Sequence, residues 1–432
     1  MLQWMKNSFD LAGHETTLKR EMMAGMISFF TIVYIIAVNA TILAEAGIPM
    51  EAGIIATILT CVVGCWLMGF WANAPIILVP GMGINAMFTY TLVHSMGLTW
   101  QEALGVVVVS GVIVTIISFT KLAQVLLEAI PSSLKHAITV GLGLFLTLIG
   151  LEKGGLIVKG ENSLLSLGDV SNPYVVATIL TVILAVTLFM RNVPANFLIS
   201  IVAGTIIAAA LGVVNFSDIG GGSALPLDSY LSLFGAVSFA KIGEFTFLVA
   251  VFSLTMVLLF ENIGLINGHL GMINRPEKFK RSFQANGISI LTSGFFGTSP
   301  TVSTVETAAG IAAGGRTGVT AITTGSLFLL SIFAIPFIKI IPGSAIAPIL
   351  MIIGVLMLQS VKQIDFQDLS EGFPAFLVIV MIPFSYSIAD GIAFGFIAYP
   401  LMKLVLGKAK EVSAPLYVIA ALFFLTFLTN VH

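Results

Sequence analysis

Val79-Pro80-Gly81-Met82-Gly83-Ile84-Asn85-Ala86 interrupts one long apolar stretch, and Gly297-Thr298-Ser299-Pro300-Thr301-Val302-Ser303-Thr304 interrupts another. Gly and Pro release backbone groups that hydrocarbon cannot satisfy. Such breaks are tolerated at membrane depth only where protein buries them or a cavity receives them. Each break is the third apolar segment of its own half of the chain. Interrupted segments in corresponding places of two halves point to a transporter's substrate site. The plainer reading is a pair of helix kinks.

The rest of the chain sets the solvent in which these breaks must be read. Of its 432 residues 57% are hydrophobic and 9% charged, with 19 Lys+Arg against 21 Asp+Glu and a net charge of −2. A soluble domain carries about 25% charged residues. Together with a mean hydropathy of +1.06, this excludes an ordinary soluble enzyme, a disordered chain and an electrostatic nucleic-acid binder. Two cysteines, Cys61 and Cys65, exclude a disulfide framework or a multi-cysteine metal site. There is no HExxH, phosphate-binding loop or GxSxG motif, so a hydrolase or an ATP-driven pump finds no support.

Charges bound the segments. Between Glu21 and Glu45 lie 23 uncharged residues, and between Glu51 and Glu102 lie 50. A spanning helix needs ~20 apolar residues. Residues 27–38 and 175–189 do not alternate in polarity, which argues against a β-barrel. Spans are expected at 21–44, 51–71, 81–96, 101–119, 133–151, 173–190 and 194–214, then at 244–268, 282–297, 300–314, 317–338, 342–359, 371–387 and 389–406. The fold expected is an all-α polytopic membrane protein with 14 core segments.

Seven is odd, so two homologous halves must be inverted repeats. The first repeat is 21–214 and the second 244–406, joined by an extracellular linker at 215–243 that contains Asp218, Gly220, Gly221, Gly222 and Asp228. Residues 1–20 read as a cytoplasmic lead-in rather than a cleavable signal. The apolar segment within 407–432 is either a further span or an interfacial helix. With the N-terminus cytoplasmic, 15 of the 19 Lys and Arg fall inside and 4 outside. A multi-pass protein of a bacterial-type plasma membrane is expected.

Most acids lie at the ends of expected spans, and two do not: Glu261 deep in span eight and Glu306 on the half-helix after the second break. A charge facing lipid costs at least ~2.5 kcal/mol, so intramembrane acids face a cavity or a partner. Both are candidates for holding a solute and for carrying a coupling proton. Half-helices starting at the breaks would offer free N–H groups to acceptor atoms of the solute. Asn39 and Asn85 are candidate contacts, although an intramembrane Asn also serves to bridge two helices. Phe88, Phe260 and Phe296 could stack on a flat ring. Gly83, Ala86, Thr304 and Val305 belong to the two broken segments and complete the candidate lining. Arg316 reads as a helix cap, and Asp390 as the N-cap of the last core helix. His94, His136 and His269 are expected at span ends.

The motifs now in view resemble the AzgA-like branch of the xanthine/uracil permease (nucleobase–ascorbate transporter) superfamily. The resemblance runs from Gly13-His14-Glu15-Thr16-Thr17-Leu18-Lys19-Arg20-Glu21 through Pro80-Gly81-Met82-Gly83-Ile84-Asn85-Ala86 and Gly297-Thr298-Ser299 to Glu306-Thr307-Ala308-Ala309-Gly310 and Gly314-Gly315-Arg316-Thr317-Gly318. It implies a purine permease driven by protons, with spans 1–4 and 8–11 as a core and spans 5–7 and 12–14 as a gate. It also implies a short strand before each half-helix at spans three and ten. The substrate acids of the family map to Glu261 and Glu306. Relatives commonly carry an Asp followed by Thr-x-Gly-Thr on span eight, where this chain reads Glu261-Asn262-Ile263-Gly264-Leu265. The resemblance allows a homodimer through the gate. It implies no cofactor beyond the proton.

The expected function is proton-coupled import of purine nucleobases. A carboxylate accepts from N1–H of a 6-oxopurine and, in guanine, from the exocyclic amine as well. Adenine presents a different donor pattern, so guanine and hypoxanthine are favoured, with an adenine permease as the alternative. An anion exchanger of the same architecture would want a cation in the site, and no Lys or Arg is expected deep within a span, Lys135 and Lys403 lying toward span ends. A channel or an enzyme finds no matching pattern.

Overall fold

Apolar runs become helices here because a helix satisfies every backbone group within its own segment. A computed structural model describes residues 9–120, 130–160, 163, 165–214 and 227–429. Lys6, Lys121, Asp218, Gly220, Gly221 and Gly222 lie outside the described residues.

The first half contains α1 (Leu18–Ile32), α2 (Ile35–Glu45), α3 (Met50–Leu67), β1 (Leu78–Pro80), α4 (Met82–Ala86), α5 (Trp100–Phe119), α6 (Ser132–Lys153), β2 (Ile157–Lys159), β3 (Leu165–Leu167), α7 (Pro173–Met190) and α8 (Asn196–Ala210). The π-helical stretches Met68–Ala72 and Met87–Ser95 prolong α3 and α4. After α9 (Leu227–Leu233) come α10 (Phe245–Met272), α11 (Phe279–Phe296), β4 (Thr301–Ser303), α12 (Thr307–Ala312), α13 (Gly318–Leu330), α14 (Ile335–Ile338), α15 (Gly343–Leu358), α16 (Leu369–Ser385), α17 (Ile388–Val405) and α18 (Ala414–Thr429). Among the described residues nine helices are long and apolar enough to cross a membrane, counting α1 with α2 and α13 with α14 as single rods. Each of the fourteen expected segments coincides with a helix or a broken helix.

Packing divides the helices into two bundles. α1, α2, α3, α5, α10, α11 and α13 pack on one another, and α6, α7, α8, α15, α16 and α17 form the second group. This is the core and gate division. The half-helix α4 touches α2 of the first bundle and α6 of the second.

The two breaks meet as a buried antiparallel ladder. Leu78 opposes Ser303, Val79 opposes Val302 and Pro80 opposes Thr301. Each strand leads into a short helix, so the pairing sends α4 and α12 in opposite directions, as inverted halves require. A Cβ on Gly81 would lie 2.4 Å from Val302 Cγ2, which is why the crossing needs glycine there.

A two-stranded ladder has two open edges, and buried backbone groups left unpaired are costly. Side chains from four helices close these edges. Asn262 Oδ1 accepts from Ser303 N at 3.0 Å, and Thr307 Oγ1 accepts from Ile77 N at 3.3 Å. Cys65 Sγ donates to Leu78 O at 3.5 Å, and Asn286 Nδ2 to Thr301 O at 3.4 Å.

At the N-terminal face, Glu21 is fully buried and caps α13. Its carboxylate accepts from Arg316 N (2.9 Å), Thr317 N (3.2 Å) and Thr320 Oγ1 (2.6 Å). An anion at a helix N-terminus meets unpaired N–H groups and the favourable end of the dipole. Arg316 Nη1 in turn donates to Ile311 O and Gly315 O, both at 2.7 Å, closing the end of α12.

Three local features depart from the sequence reading. The hairpin β2–β3 follows α6, where no strand was expected; its residues are mostly exposed and polar contacts hold it. The helix α9 lies within the expected linker, because Tyr230 and Leu233 bury one face. Leu233 occupies the space beside Gly297, whose φ of +87° ends α11. The N-cap of α17 is Ser387 rather than Asp390, since the Ser387 hydroxyl accepts from Asp390 N at 3.3 Å.

Candidate functional site

The long helix α10 packs against β4, α12 and α4, so it touches both half-helices. Glu261 lies on it. Its Oε2 is buried and has no hydrogen-bond partner. One helical face continues from Glu261 through Gly264, Gly268 and Gly271 toward the N-terminal side of the molecule. A Cβ placed on any of these three glycines would meet no atom within 4 Å, so open space runs beside this face.

Glu306 is the residue on which α12 begins. Its Oε1 accepts a hydrogen bond from the Tyr34 hydroxyl at 2.5 Å. Asn85, on α4, is fully buried, and neither amide atom has a hydrogen-bond partner. A buried amide with nothing to bond is costly in an apolar interior, which marks a place where a solute or water must complete it.

The remaining candidates separate by environment. Gly83 lies where α4 meets the gate: a Cβ there would sit 3.2 Å from Leu142 Cδ1 of α6. Ala86, Phe88 and Phe260 are buried in the hydrophobic core. Thr304 is half-buried at the end of β4, and Val305 is 50% exposed.

Asn39 is spent on structure. Its Nδ2 donates to Thr57 Oγ1 (2.7 Å) and Thr298 Oγ1 (2.9 Å), and its Oδ1 accepts from Ser299 Oγ (3.0 Å). Both donors are used, so it follows the helix-bridging reading and braces α2 against α3 and the loop before β4. Phe296 packs its ring on Phe234, 5.9 Å away, beyond α9.

The half-helix ends also differ from each other. The first amides of α12, Thr307 N and Ala308 N, bond to Thr304 O and Val305 O, each at 3.1 Å, so they are engaged within the turn. The start of α4 has Gly81 as its N-cap and no side-chain cap.

Sequence reasoning missed Tyr34, Asn262 and His269. Tyr34 is a buried phenol inside an apolar run, and a buried phenol needs a partner. Its partner is 272 residues away, which no local pattern reveals. His269 lies in the last turn of α10, as expected of a span end, but its ring is buried and Nδ1 lies 3.0 Å from Ser303 Oγ.

A sequence model of xanthine/uracil permeases, described as a permease family, matches residues 19–425. The chain is similar to the nucleobase transporter PlAzg2 of Paenibacillus larvae, with 52% identity over 89% of this chain and 77% of that protein. It is 37% identical to the guanine/hypoxanthine permease PbuO of Bacillus subtilis, over 96% of this chain and 99% of that one. It is 38% identical to the adenine permease AdeP of Escherichia coli, over 98% and 95%. Among solved structures, the transmembrane domain of the cyanobacterial bicarbonate transporter BicA shares the fold, with a TM-score of 0.67 at 19% identity over 86% of this chain and 97% of that domain.

Proposed function

Since this chain belongs to the xanthine/uracil permease family, a family of multi-pass membrane transporters, we propose that it imports purine nucleobases together with protons, guanine and hypoxanthine foremost. The observation that carries the reading is the set of unpaired polar atoms around α4 and α10. Glu261 Oε2 and both amide atoms of Asn85 are buried without partners. These groups present acceptors for N1–H and an exocyclic amine, and a donor for O6 or a ring nitrogen.

Glu306 and Glu261 hold the base, and one of them, Glu261 in our reading, also carries the coupling proton. The proton is the coupling ion and no cofactor takes part. Transport proceeds by movement of one bundle against the other around the broken helices. The N-terminus lies in the cytoplasm and the protein in the plasma membrane, a reading supported by the 15 to 4 bias of Lys and Arg.

Adenine is the second reading, because AdeP is as similar to this chain as PbuO is. Adenine reverses the donor pattern at N1 and the 6-position, so a site tuned to one base leaves groups unpaired with the other. An anion exchanger is disfavoured by the chemistry of the site. The buried Lys403 of α17 is already neutralised by Glu371 Oε1 (2.9 Å) and Glu411 Oε2 (3.1 Å).

The deciding experiment is uptake of labelled hypoxanthine in cells without their own purine carriers, competed by guanine, adenine, xanthine and uracil. Guanine should compete most strongly. Strong competition by adenine alone would assign the second reading, and no purine uptake would end both. Accumulation that survives a protonophore would remove the proton from the mechanism.

A further inference from the structure

Tyr34 stands at the junction of α1 and α2 and is almost wholly buried. Two of its side-chain contacts lead to different parts of the molecule. Its hydroxyl donates to Glu306 Oε1 at 2.5 Å, a short bond of the charge-assisted kind when the acid is ionised. Its ring meets the ring of Phe197 edge to face, with centroids 5.1 Å apart and planes at 74°. Phe197 lies on α8 and is itself stacked on Phe189 of α7, at 6.1 Å and 11°. Both phenylalanines belong to the second bundle, whereas Tyr34 and α12 pack with the first.

We propose that Tyr34 is a positioning residue of the transport site: its hydroxyl orients the Glu306 carboxylate toward the purine, and its ring, seated on Phe197, ties that orientation to the position of the gate. This rests on the purine reading above. The bond uses one carboxylate oxygen and leaves the other for a donor edge of the solute. When the bundles slide, the edge-to-face contact with Phe197 must break or be remade. The hydroxyl then keeps or releases Glu306 with it, so site geometry and gate position change together. A tyrosine that merely satisfied a nearby acid would add stability alone and would leave affinity and turnover unsplit.

The test is a split of KM against maximal uptake rate, measured with labelled hypoxanthine in carrier-deficient cells at matched surface amounts. Y34F keeps the ring on Phe197 and removes the hydroxyl. Its KM should rise about tenfold, the worth of one bond to a charged group, with the maximal rate within about twofold. F197L keeps the Tyr34–Glu306 bond and should lower the maximal rate severalfold with KM held. In an E306Q background, Y34F should change KM no further, because Tyr34 acts through that carboxylate. Wild-type KM in Y34F, or a wild-type rate in F197L, overturns the inference and leaves purine transport standing. Should Y34F fail to reach the membrane, F197L alone decides. A wild-type protein that takes up no purine overturns the transport reading and this inference with it.

Discussion

Lys153 at the end of α6 forms an ion pair with Glu45 at the end of α2, joining gate to core on the face away from the N-terminus. The same carboxylate accepts from the Tyr90 hydroxyl at 2.6 Å. The Tyr90 ring meets Phe145 at 5.8 Å, and Phe145 meets Tyr386 at 5.7 Å. Ile388 N donates to Thr91 Oγ1 at 3.0 Å. The bundles are therefore fastened on this face, while the glycine-lined face of α10 stands open toward the other.

Loosening that fastening should expose the site from the far face. The Lys153 side chain is 11% exposed and that of Glu45 38%, so the pair is partly screened and worth about 0.5–1 kcal/mol. K153M should speed the labelling of a cysteine placed at the buried Leu92 by roughly two- to fivefold, applied from the face opposite the N-terminus. An unchanged rate would mean that the aromatic contacts alone hold the face shut.

The two asparagines of the core should behave oppositely. N39A removes a brace with three hydrogen bonds and should cost about 1–3 kcal/mol of stability, seen as a lower unfolding temperature in detergent. N85L replaces an amide with no partners by a side chain of similar volume. It should leave that temperature the same or higher while uptake falls at least tenfold. The reverse pattern would move the site away from α4.

Glycine positions offer a second contrast. A Cβ on Gly318 would lie 2.1 Å from Gly69 O, a rigid backbone atom where α13 crosses the end of α3. G318A should therefore destabilise the core by about 1–3 kcal/mol or prevent folding. On α10 a Cβ at Gly264 meets nothing within 4 Å, and alanine favours the helix by ~1 kcal/mol. G264A should fold at least as well as wild type, measured by yield and thermal unfolding, while narrowing the space beside Glu261.

The buried carboxylate of Glu21 supplies another check. E21A strands the amides of Arg316 and Thr317 and the hydroxyl of Thr320. A loss of about 1–3 kcal/mol is expected for the unpaired donors. E21Q, which still accepts, should lose less. Equal losses would mean that the negative charge, rather than acceptance, stabilises the start of α13.

The amino-acid sequence by itself determined the membrane environment, the order of the helices and the paired breaks. Each of these follows from a local rule: lipid forces apolar runs into helices, and a Gly-Pro interruption is penalised unless it is buried. Glu261 and Glu306 were legible for the same reason, since an acid in an apolar run has to be accounted for within that run. Only the tertiary structure decided which polar groups are consumed. Asn39 and Asn85 are the same residue type in similar apolar settings, yet one is bonded on both donors and the other has no partner. Tyr34 and Glu306 meet within the first bundle, Glu45 and Lys153 across the two bundles, and Asn262 and Ser303 between helix and strand. Hydrogen bonds are short-ranged and directional, so their partners are chosen by the packing of whole helices, and no window of sequence contains that information.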